Sequence, residues 1–217
     1  GAPLVPIGDR HLFADYPICL NIGGIANVSY EMNGKRIAYD ICMANQLLNY
    51  LANKLGYDYD NNGQFAKQGK VDKELFDILN DNAYYRQDPP KSLGREFFEN
   101  VQHKIIDESS LSTKDLLATA TEHIAYQIVK STEKLDKSKM LVTGGGAKND
   151  FLIERICAMS KHEIVIPDVM ITDYKEALIF AFLGVLKLEG KINVLSSVTG
   201  ASSDSSSGKT YQLKIEN

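Results

Sequence analysis

The clearest pattern along the chain is a β pattern between residues 18 and 42. Apolar, alternating and β-branched residues fill three short runs there. Asn33-Gly34 separates the second run from the third and is a strong signal for a two-residue hairpin. Gly23-Gly24 separates the first run from the second and permits a sharp turn. The pattern predicts an antiparallel meander of three strands, at 18–22, 25–32 and 35–41.

A helical periodicity replaces the β pattern in the next hundred residues. Leucines recur at helical spacing between residues 47 and 55, and Gly56 follows them as a stop signal. Further periodic stretches come after a polar loop at 57–71, and Pro89-Pro90 interrupts them. The expected helices cover 44–55, 73–86, 95–104 and 113–135, the last with Thr113 or a neighbour as N-cap.

The final third of the chain returns to strands that alternate with helices. Residues 139–156 predict a strand, a triple-glycine turn and a helix. A strand is expected at 163–167, followed by a helix that Asp173 caps and that runs to about residue 188, and a possible edge strand at 210–215. This order of elements predicts an α/β fold.

Composition and charge exclude several classes of protein. The chain has 217 residues, of which 44% are hydrophobic and 24% charged, and this is typical of a globular protein rather than a disordered chain. The net charge of −4 gives no electrostatic case for nucleic acid or an anionic membrane as a partner. The longest apolar stretch, 177–188, is too short to span a bilayer.

The cysteine content points to a reducing compartment, which we take to be the cytoplasm. The three cysteines (Cys19, Cys42 and Cys157) are scattered and form no CxxC pair. The four histidines show no metal-binding spacing, and no catalytic triad can be inferred.

The Gly23-Gly24 corner has two interpretations. Its backbone N–H groups could face a phosphate, because only glycine permits so close an approach. Asn21 and Asn27 flank the corner and could donate their side-chain amides to the same anion. Alternatively, the glycines form a tight turn, and asparagine is simply a common turn residue.

The glycines Gly144, Gly145 and Gly146 also leave two interpretations open. Ligands collect at the carboxyl ends of strands in open α/β sheets, and a glycine-rich turn there presents backbone donors to a nucleotide. The spacing does not fit the dinucleotide fingerprint, since Asn149 stands where the third glycine belongs. The alternative is an ordinary strand-to-helix connection.

Two carboxylates are candidates for chemistry. Asp40 closes a predicted strand and could hold a hydrated Mg²⁺, or it could cap the helix at 44–55. Glu176 is expected in the first turn of an apolar helix, where an acidic residue is common because the helix dipole favours it.

Several long motifs together resemble one known family, the anhydro-N-acetylmuramic acid kinases. This family belongs to the superfamily of sugar kinases, heat-shock chaperones and actin. The resemblance extends from Gly1 to about Gly208. In the family's order, the motifs are LNIGGIANVSY (20–30), YDICMANQLLNYLANKLG (39–56), PPKSLGREFF (89–98), ATEHIAYQI (120–128), TGGGAKNDFLIERI (143–156), KEALIFAFLG (175–184) and SVTGA (197–201).

The resemblance implies a two-domain kinase with ribonuclease H-like (actin-like) domains and ATP with Mg²⁺ in the cleft between them. Such an enzyme opens the 1,6-anhydro ring of its sugar with water and phosphorylates O6, giving N-acetylmuramic acid 6-phosphate for peptidoglycan recycling. Gly23-Gly24 would form the second phosphate hairpin, and Gly144–Gly146 with Asn149 the adenosine motif. Glu176 matches a family glutamate that contacts the sugar.

The chain departs from the family pattern at two places. GAPLVP, here residues 1–6, normally follows the catalytic Asp, so the base and the N-terminal domain are expected upstream. This implies an interdomain connection at 1–17, a nucleotide-binding domain at 18–190 and a strap and tail at 191–217. A Gly-Pro-Gly-Asn-like run is also replaced by residues 42–45, which alters the turn after Asp40.

Two accounts of function follow from these expectations. In the first, the chain is the ATP-binding half of the kinase, inactive alone, with the anhydro-sugar and its N-terminal domain as partners. A homodimer through helices such as 113–135 is a further expectation. In the second, the chain is a non-catalytic nucleotide- or sugar-binding sensor of the same superfamily.

Overall fold

A five-stranded mixed sheet organises the protein. The structure is a computed structural model and describes residues 3–211. The strand order is β3-β2-β1-β4-β5, with the first three strands antiparallel and β1, β4 and β5 parallel. The meander is confirmed, and its third strand is two residues longer than expected. The strands are β1 (Ile18–Ile22), β2 (Ile25–Met32), β3 (Lys35–Met43), β4 (Lys139–Thr143) and β5 (Glu163–Val165).

Helices cover both faces of this sheet. They are α1 (Val5–Leu12), α2 (Asn45–Asn53), α3 (Lys73–Asn80), α4 (Arg95–Phe97), α5 (His103–Asp107), α6 (Thr113–Thr132), α7 (Asp150–Met159), α8 (Val169–Leu188) and α9 (Ser196–Thr199). A π-helical turn at Phe98–Gln102 joins α4 to α5, so the expected helix at 95–104 is one continuous helical segment. Short 3-10 turns occupy Asn61–Gly63, Ala66–Gln68, Ala83–Arg86 and Gly145–Lys148.

The alternation of side chains along β1 divides the core in two. Ile18, Leu20 and Ile22 face a large apolar cluster that α2, α6 and α7 complete. Cys19 faces the opposite side, where a smaller cluster joins the sheet to α1, α8 and α9. Because each face is closed by helices, the fold is a three-layer α/β arrangement.

The expected helix at 73–86 is wrong beyond residue 80. Helix α3 ends at Asn80, and a separate 3-10 turn begins at Ala83 after Asn82 adopts an extended conformation. The Asn82 side chain accepts a hydrogen bond from the backbone N–H of Tyr84 at 2.9 Å. A side-chain cap of this kind competes with continuation of the helix, so a separate turn begins after Asn82.

The N-terminus of α8 also differs from the expectation. The helix begins at Val169, and Asp168 caps it by accepting a hydrogen bond from the N–H of Ile171 at 3.0 Å. Asp173 therefore does not cap the helix. Glu176 lies in the third turn rather than the first, so the helix-dipole argument for this carboxylate does not apply.

Three further points concern the ends of the chain and its helices. The sequence patterns did not predict α1, which carries Pro6 in its first turn and buries Pro6, Ile7, Gly8 and Asp9. Residues 210 and 211 have no regular structure, and the rest of the edge strand expected at 210–215 lies outside the described residues. Within 3–211, no helix combines the length and apolar character that a bilayer crossing requires.

Candidate functional site

The parallel strands β1 and β4 end at a small cleft that is rich in polar side chains. Its volume is about 230 Å³. Carboxyl ends of parallel strands are where α/β sheets commonly bind ligands. We call it the glycine cleft, and its lining residues are Val5, Asn21, Asn27, Thr143, Gly144, Gly145, Thr172, Asp173, Lys175 and Glu176.

The hairpin between β1 and β2 forms one wall of the glycine cleft. Asn21 and Asn27 lie directly opposite each other in the antiparallel ladder, so their side chains share a face of the sheet. The Gly23-Gly24 corner connects them and also meets α2, because the carbonyl of Gly23 accepts from Asn45 N–H and that of Gly24 accepts from Ala44 N–H. The corner thus caps α2 with its carbonyl groups while holding the two asparagines side by side.

The fold requires a glycine at two of the three consecutive positions, Gly144 and Gly146, and not at the third, Gly145. Gly144 has a φ of +85°, and a Cβ there would lie 2.7 Å from Asn21 Oδ1. A Cβ on Gly146 would lie 2.2 Å from Ile22 Cγ2. Packing therefore demands both glycines. Gly145 is exposed, and its added Cβ would meet only Asn45 Nδ2, at 3.4 Å. The protein itself leaves Gly145 nearly free to carry a side chain.

Gly145 also borders a second cleft, of about 460 Å³. We call this the asparagine cleft, and its lining residues are Asn45, Leu48, Asn49, Tyr59, Asp60, Asn61, Asn62, Gly145, Lys148 and Asn149. Gly145 is therefore a ridge between two clefts. An ion pair crosses beside it, since Lys148 Nζ lies 2.6 Å from Asp173 Oδ1.

The side chain of Asn149 is used as the N-cap of α7. It accepts a hydrogen bond from Leu152 N–H at 3.1 Å. A Cβ on Gly63 would lie 2.6 Å from Asn149 Oδ1, so the loop carrying Gly63 packs tightly against this cap. Asn149 lines the asparagine cleft from that position, and it does not line the glycine cleft.

Helix α8 forms the opposite wall of the glycine cleft. It contributes the exposed carboxylate of Glu176 and the buried ammonium of Lys175. Lys175 Nζ lies 2.7 Å from Asp9 Oδ1 on α1, as a charge contact rather than an aligned hydrogen bond. The other oxygen of Asp9 accepts from the hydroxyl of Ser29 at 2.5 Å, and that hydroxyl accepts from Arg36 at 2.7 Å. This buried network ties α8, α1, β2 and β3 together.

Asp40 lies elsewhere. It is in the body of β3, its Oδ2 accepts a hydrogen bond from the N–H of Leu93 at 2.9 Å, and it does not cap α2. Burial raises the pKa of its carboxyl, although the bond from Leu93 opposes the shift. Within residues 3–211, no group of three histidine, cysteine or acidic side chains could hold a metal ion. The position of Asp40 thus lends the predicted magnesium role no support, and that role stays a prediction.

Three residues of the glycine cleft and its rim escaped the sequence reasoning. The sequence pattern places Asp173 at a helix cap, and it singles out neither Lys148 nor Lys175. Lys175 is one of many lysines in the sequence, and only its 5% exposure in the fold distinguishes it. A lysine within an apolar helix is a weak signal that could have pointed to a buried ion pair.

Comparisons with known proteins place this geometry in a family. A profile of the anhydro-N-acetylmuramic acid kinases matches residues 1–213. Anhydro-N-acetylmuramic acid kinases from Mannheimia succiniciproducens and Pasteurella multocida are 34% and 35% identical to the chain, over 97% of it. The chain spans 61% and 59% of the length of these two curated relatives.

Solved structures support the fold. The ADPNP-bound activator of 2-hydroxyisocaproyl-CoA dehydratase from Clostridium difficile superposes with a TM-score of 0.52 at 18% identity, covering 87% of this chain and 68% of that one. Component A of the (R)-2-hydroxyglutaryl-CoA dehydratase from Acidaminococcus fermentans gives 0.53 at 16% identity, covering 82% and 64%. The expected ribonuclease H-like, actin-like fold is confirmed. From the family profile and the curated relatives, the chain belongs to the anhydro-N-acetylmuramic acid kinase family.

Proposed function

We propose that the chain is the nucleotide-binding part of an ATP-dependent anhydro-N-acetylmuramic acid kinase. The reaction adds water across the 1,6-anhydro bond of the sugar and transfers the γ-phosphoryl group of ATP to O6. The products are N-acetylmuramic acid 6-phosphate and ADP. Family membership supports the activity, and the two adjoining clefts support the role in nucleotide binding.

One observation carries the nucleotide proposal, namely the position of Gly145. It lies on the ridge that the glycine and asparagine clefts share, and the surrounding protein does not require a glycine there. A ligand that crosses this ridge in contact with the backbone would require one. We therefore propose that a nucleotide crosses Gly145, with its phosphates in the glycine cleft and its nucleoside in the asparagine cleft.

Phosphoryl transfer depends on positioning and on charge stabilisation. Asn21 and Asn27 lie in the glycine cleft as amide donors, and Lys175, paired with Asp9, lies at its wall. Glu176 is proposed to contact the sugar, and its exposed side chain on the cleft is compatible with that role. Gly23, Gly24 and Asn149 act indirectly in this proposal, through the shape of the hairpin and the cap of α7.

Magnesium accompanies ATP as a charge-neutralising ion in such reactions. Among the described residues no group of three histidine, cysteine or acidic side chains could hold the ion, and no catalytic step is assigned through it. The general base that activates water is expected in the part of the kinase that the relatives have and this chain does not span. The cytoplasmic location and the homodimer remain predictions.

The activity is tested with the protein that carries this sequence together with whatever further residues its gene encodes. The anhydro-sugar and ATP are supplied in water labelled with oxygen-18, and the product is examined by mass spectrometry. The proposal predicts a sugar that carries both one phosphate and one labelled oxygen, and loss of this product in Glu176→Gln. A protein that binds nucleotide but releases no phosphorylated sugar would instead be a sensor, and the kinase proposal would be wrong.

A further inference from the structure

A third cleft lies at the edge of the sheet, beside β3. Its volume is about 530 Å³, and it shares no lining residue with the other two clefts. Apart from Pro3, its lining residues come from three distant parts of the chain: β3, the turn around Pro90 and helix α9. We call it the lysine cleft, and its lining residues are Pro3, Ala38, Tyr39, Asp40, Pro90, Lys91, Ser92, Val198 and Thr199.

Asp40 offers one carboxylate oxygen to this cleft. The residue is only 6% exposed, and its Oδ2 is occupied by the N–H of Leu93. Among the described residues, Oδ1 has no hydrogen-bond partner, yet it is not one of the polar atoms sealed from solvent. A carboxylate oxygen in this state is available to a hydroxyl group of a ligand.

Lys91 supplies a cation with few partners. Its Nζ donates to the carbonyl of Tyr84 at 3.2 Å and lies 4.8 Å and 5.2 Å from the ring centroids of Tyr84 and Tyr39. Within residues 3–211, no carboxylate is within ion-pair distance of this ammonium group, so Asp40 and Lys91 do not neutralise each other. Burial lowers the pKa of Lys91, although the charge of Asp88 opposes the shift. An anion that binds here would relieve the cost of this partly buried charge.

The walls of the lysine cleft are held in place by the fold. Ser197 Oγ donates to the backbone carbonyl of Arg36 at 2.7 Å and anchors α9 to β3. Gly200 closes α9 with a φ of +75°, and a Cβ there would touch Pro90 at 3.4 Å. The Leu93 and Lys91 contacts fix the turn on the other side. A cleft whose donors and acceptors are already oriented loses little entropy on binding.

We propose that the lysine cleft is a second binding site, for a small hydroxylated carboxylate such as a sugar acid. The carboxylate of the ligand pairs with Lys91, and one hydroxyl group donates to Oδ1 of Asp40. The PPKSLGREFF and SVTGA motifs, which the nucleotide proposal does not use, supply two of the three walls. The choice of a sugar acid as the ligand rests on the proposed function.

The test compares two sugars that differ in one group. N-acetylmuramic acid carries a lactyl carboxylate that N-acetylglucosamine lacks. Each is titrated into the uniformly nitrogen-15-labelled chain, and the backbone amide resonances are followed. We expect N-acetylmuramic acid to shift the resonances of Ser92, Leu93 and Gly200, and to leave that of Gly145 in place. N-acetylglucosamine should bind at least about tenfold more weakly, because it makes no ion pair.

Three variants assign the binding to the named groups. Lys91→Met should lower the affinity for N-acetylmuramic acid by about tenfold and leave the affinity for N-acetylglucosamine unchanged. Asp40→Asn keeps an acceptor for Leu93 N–H, and it should lower the affinity for both sugars. Lys104→Met, at an exposed lysine of α5 that lies outside all three clefts, is the matched control and should change neither affinity. Thermal unfolding of each variant checks that it is folded.

Three results would overturn the proposal. The first is equal binding of the two sugars. The second is a set of shifts confined to the glycine cleft. The third is binding at Asp40 that needs Mg²⁺ and is indifferent to Lys91, which would return Asp40 to the metal role. The labelled-water experiment is independent of all three, so a failure of the kinase proposal is distinguishable from a failure of this one.

Discussion

Lys175 Nζ lies 2.7 Å from Asp9 Oδ1, and this buried ion pair joins α8 to α1 at the wall of the glycine cleft. Both residues are about 95% buried, at 5% and 4% exposure. Glu176 follows Lys175 directly on α8. The pair therefore fixes the helix from which the proposed sugar contact projects.

The first prediction concerns this pair. Asp9→Asn leaves the buried Lys175 without its carboxylate, and Lys175→Met leaves Asp9 with only the more distant Arg36, whose Nη2 lies 3.9 Å from Asp9 Oδ2. Each substitution should lower the free energy of unfolding by about 3–5 kcal/mol. The double variant Asp9→Asn/Lys175→Met should recover part of that loss, because it removes both charges of the pair together. Urea denaturation of the four proteins measures this. Losses that simply add in the double variant would show that the two side chains do not interact.

The second prediction separates the three neighbouring glycines by stability. Gly144→Ala forces a side chain into a left-handed backbone and against Asn21, and it should cost about 1–3 kcal/mol. Gly146→Ala collides with Ile22 and should also destabilise the fold. Gly145→Ala should leave the unfolding midpoint nearly unchanged. A loss at Gly145 as large as that at Gly144 would mean that packing, rather than a ligand, explains this glycine.

The third prediction concerns the start of α8. Asp168→Ala removes the side-chain acceptor for Ile171 N–H and should cost about 1 kcal/mol. Asp173→Ala removes only an exposed ion pair with Lys148, so its effect on stability should be smaller. Thermal unfolding of the two variants compares them. The reverse ranking would restore Asp173 as the helix cap.

The fourth prediction is a pH dependence of stability. Burial lowers the pKa of His123 from 6.5 to about 3, so the folded protein keeps this ring neutral while the unfolded chain protonates it. The contribution is fully present above pH 6.5 and is lost as the pH falls toward 3. Between pH 6.5 and about pH 5, stability should fall by about 2 kcal/mol from this group alone.

A matched variant isolates the contribution of His123. His123→Gln should flatten the dependence between pH 6.5 and about pH 5, where few carboxylates titrate. Its stability at neutral pH is expected to be lower, because the ring contacts Asn80 Oδ1 at 2.8 Å. An unchanged slope in the variant would assign the pH dependence to other groups.

Local sequence signals predicted the sheet well and the cleft incompletely. Asn33-Gly34 and the alternating runs define the meander through interactions between near neighbours in sequence, and the structure confirms it. The side chains of Asp9 and Lys175 meet only when α1 and α8 pack on the same face of the sheet. A contact between residues so distant in sequence leaves no periodic signal in the chain.

The three consecutive glycines also show that sequence pattern alone does not reveal tertiary contacts. The sequence marks Gly144, Gly145 and Gly146 alike, and only the fold distinguishes the two that packing requires from the one that it does not. Asp40 likewise looks like a strand-end carboxylate in the sequence, whereas β3 continues past it and directs it to the lysine cleft. Tertiary surroundings decide such cases, so pattern alone leaves them open.

Calorimetric titration with ADP tests whether a nucleotide crosses the ridge at Gly145. The unmodified chain, Gly145→Val and Gly184→Ala are compared, the last being a control at a glycine of α8 whose Cβ would meet nothing within 4 Å. We expect saturable binding to the unmodified chain and to Gly184→Ala, with affinity at least about tenfold lower in Gly145→Val. Equal affinity in all three proteins, or no binding to the unmodified chain, would show that the nucleotide does not cross Gly145.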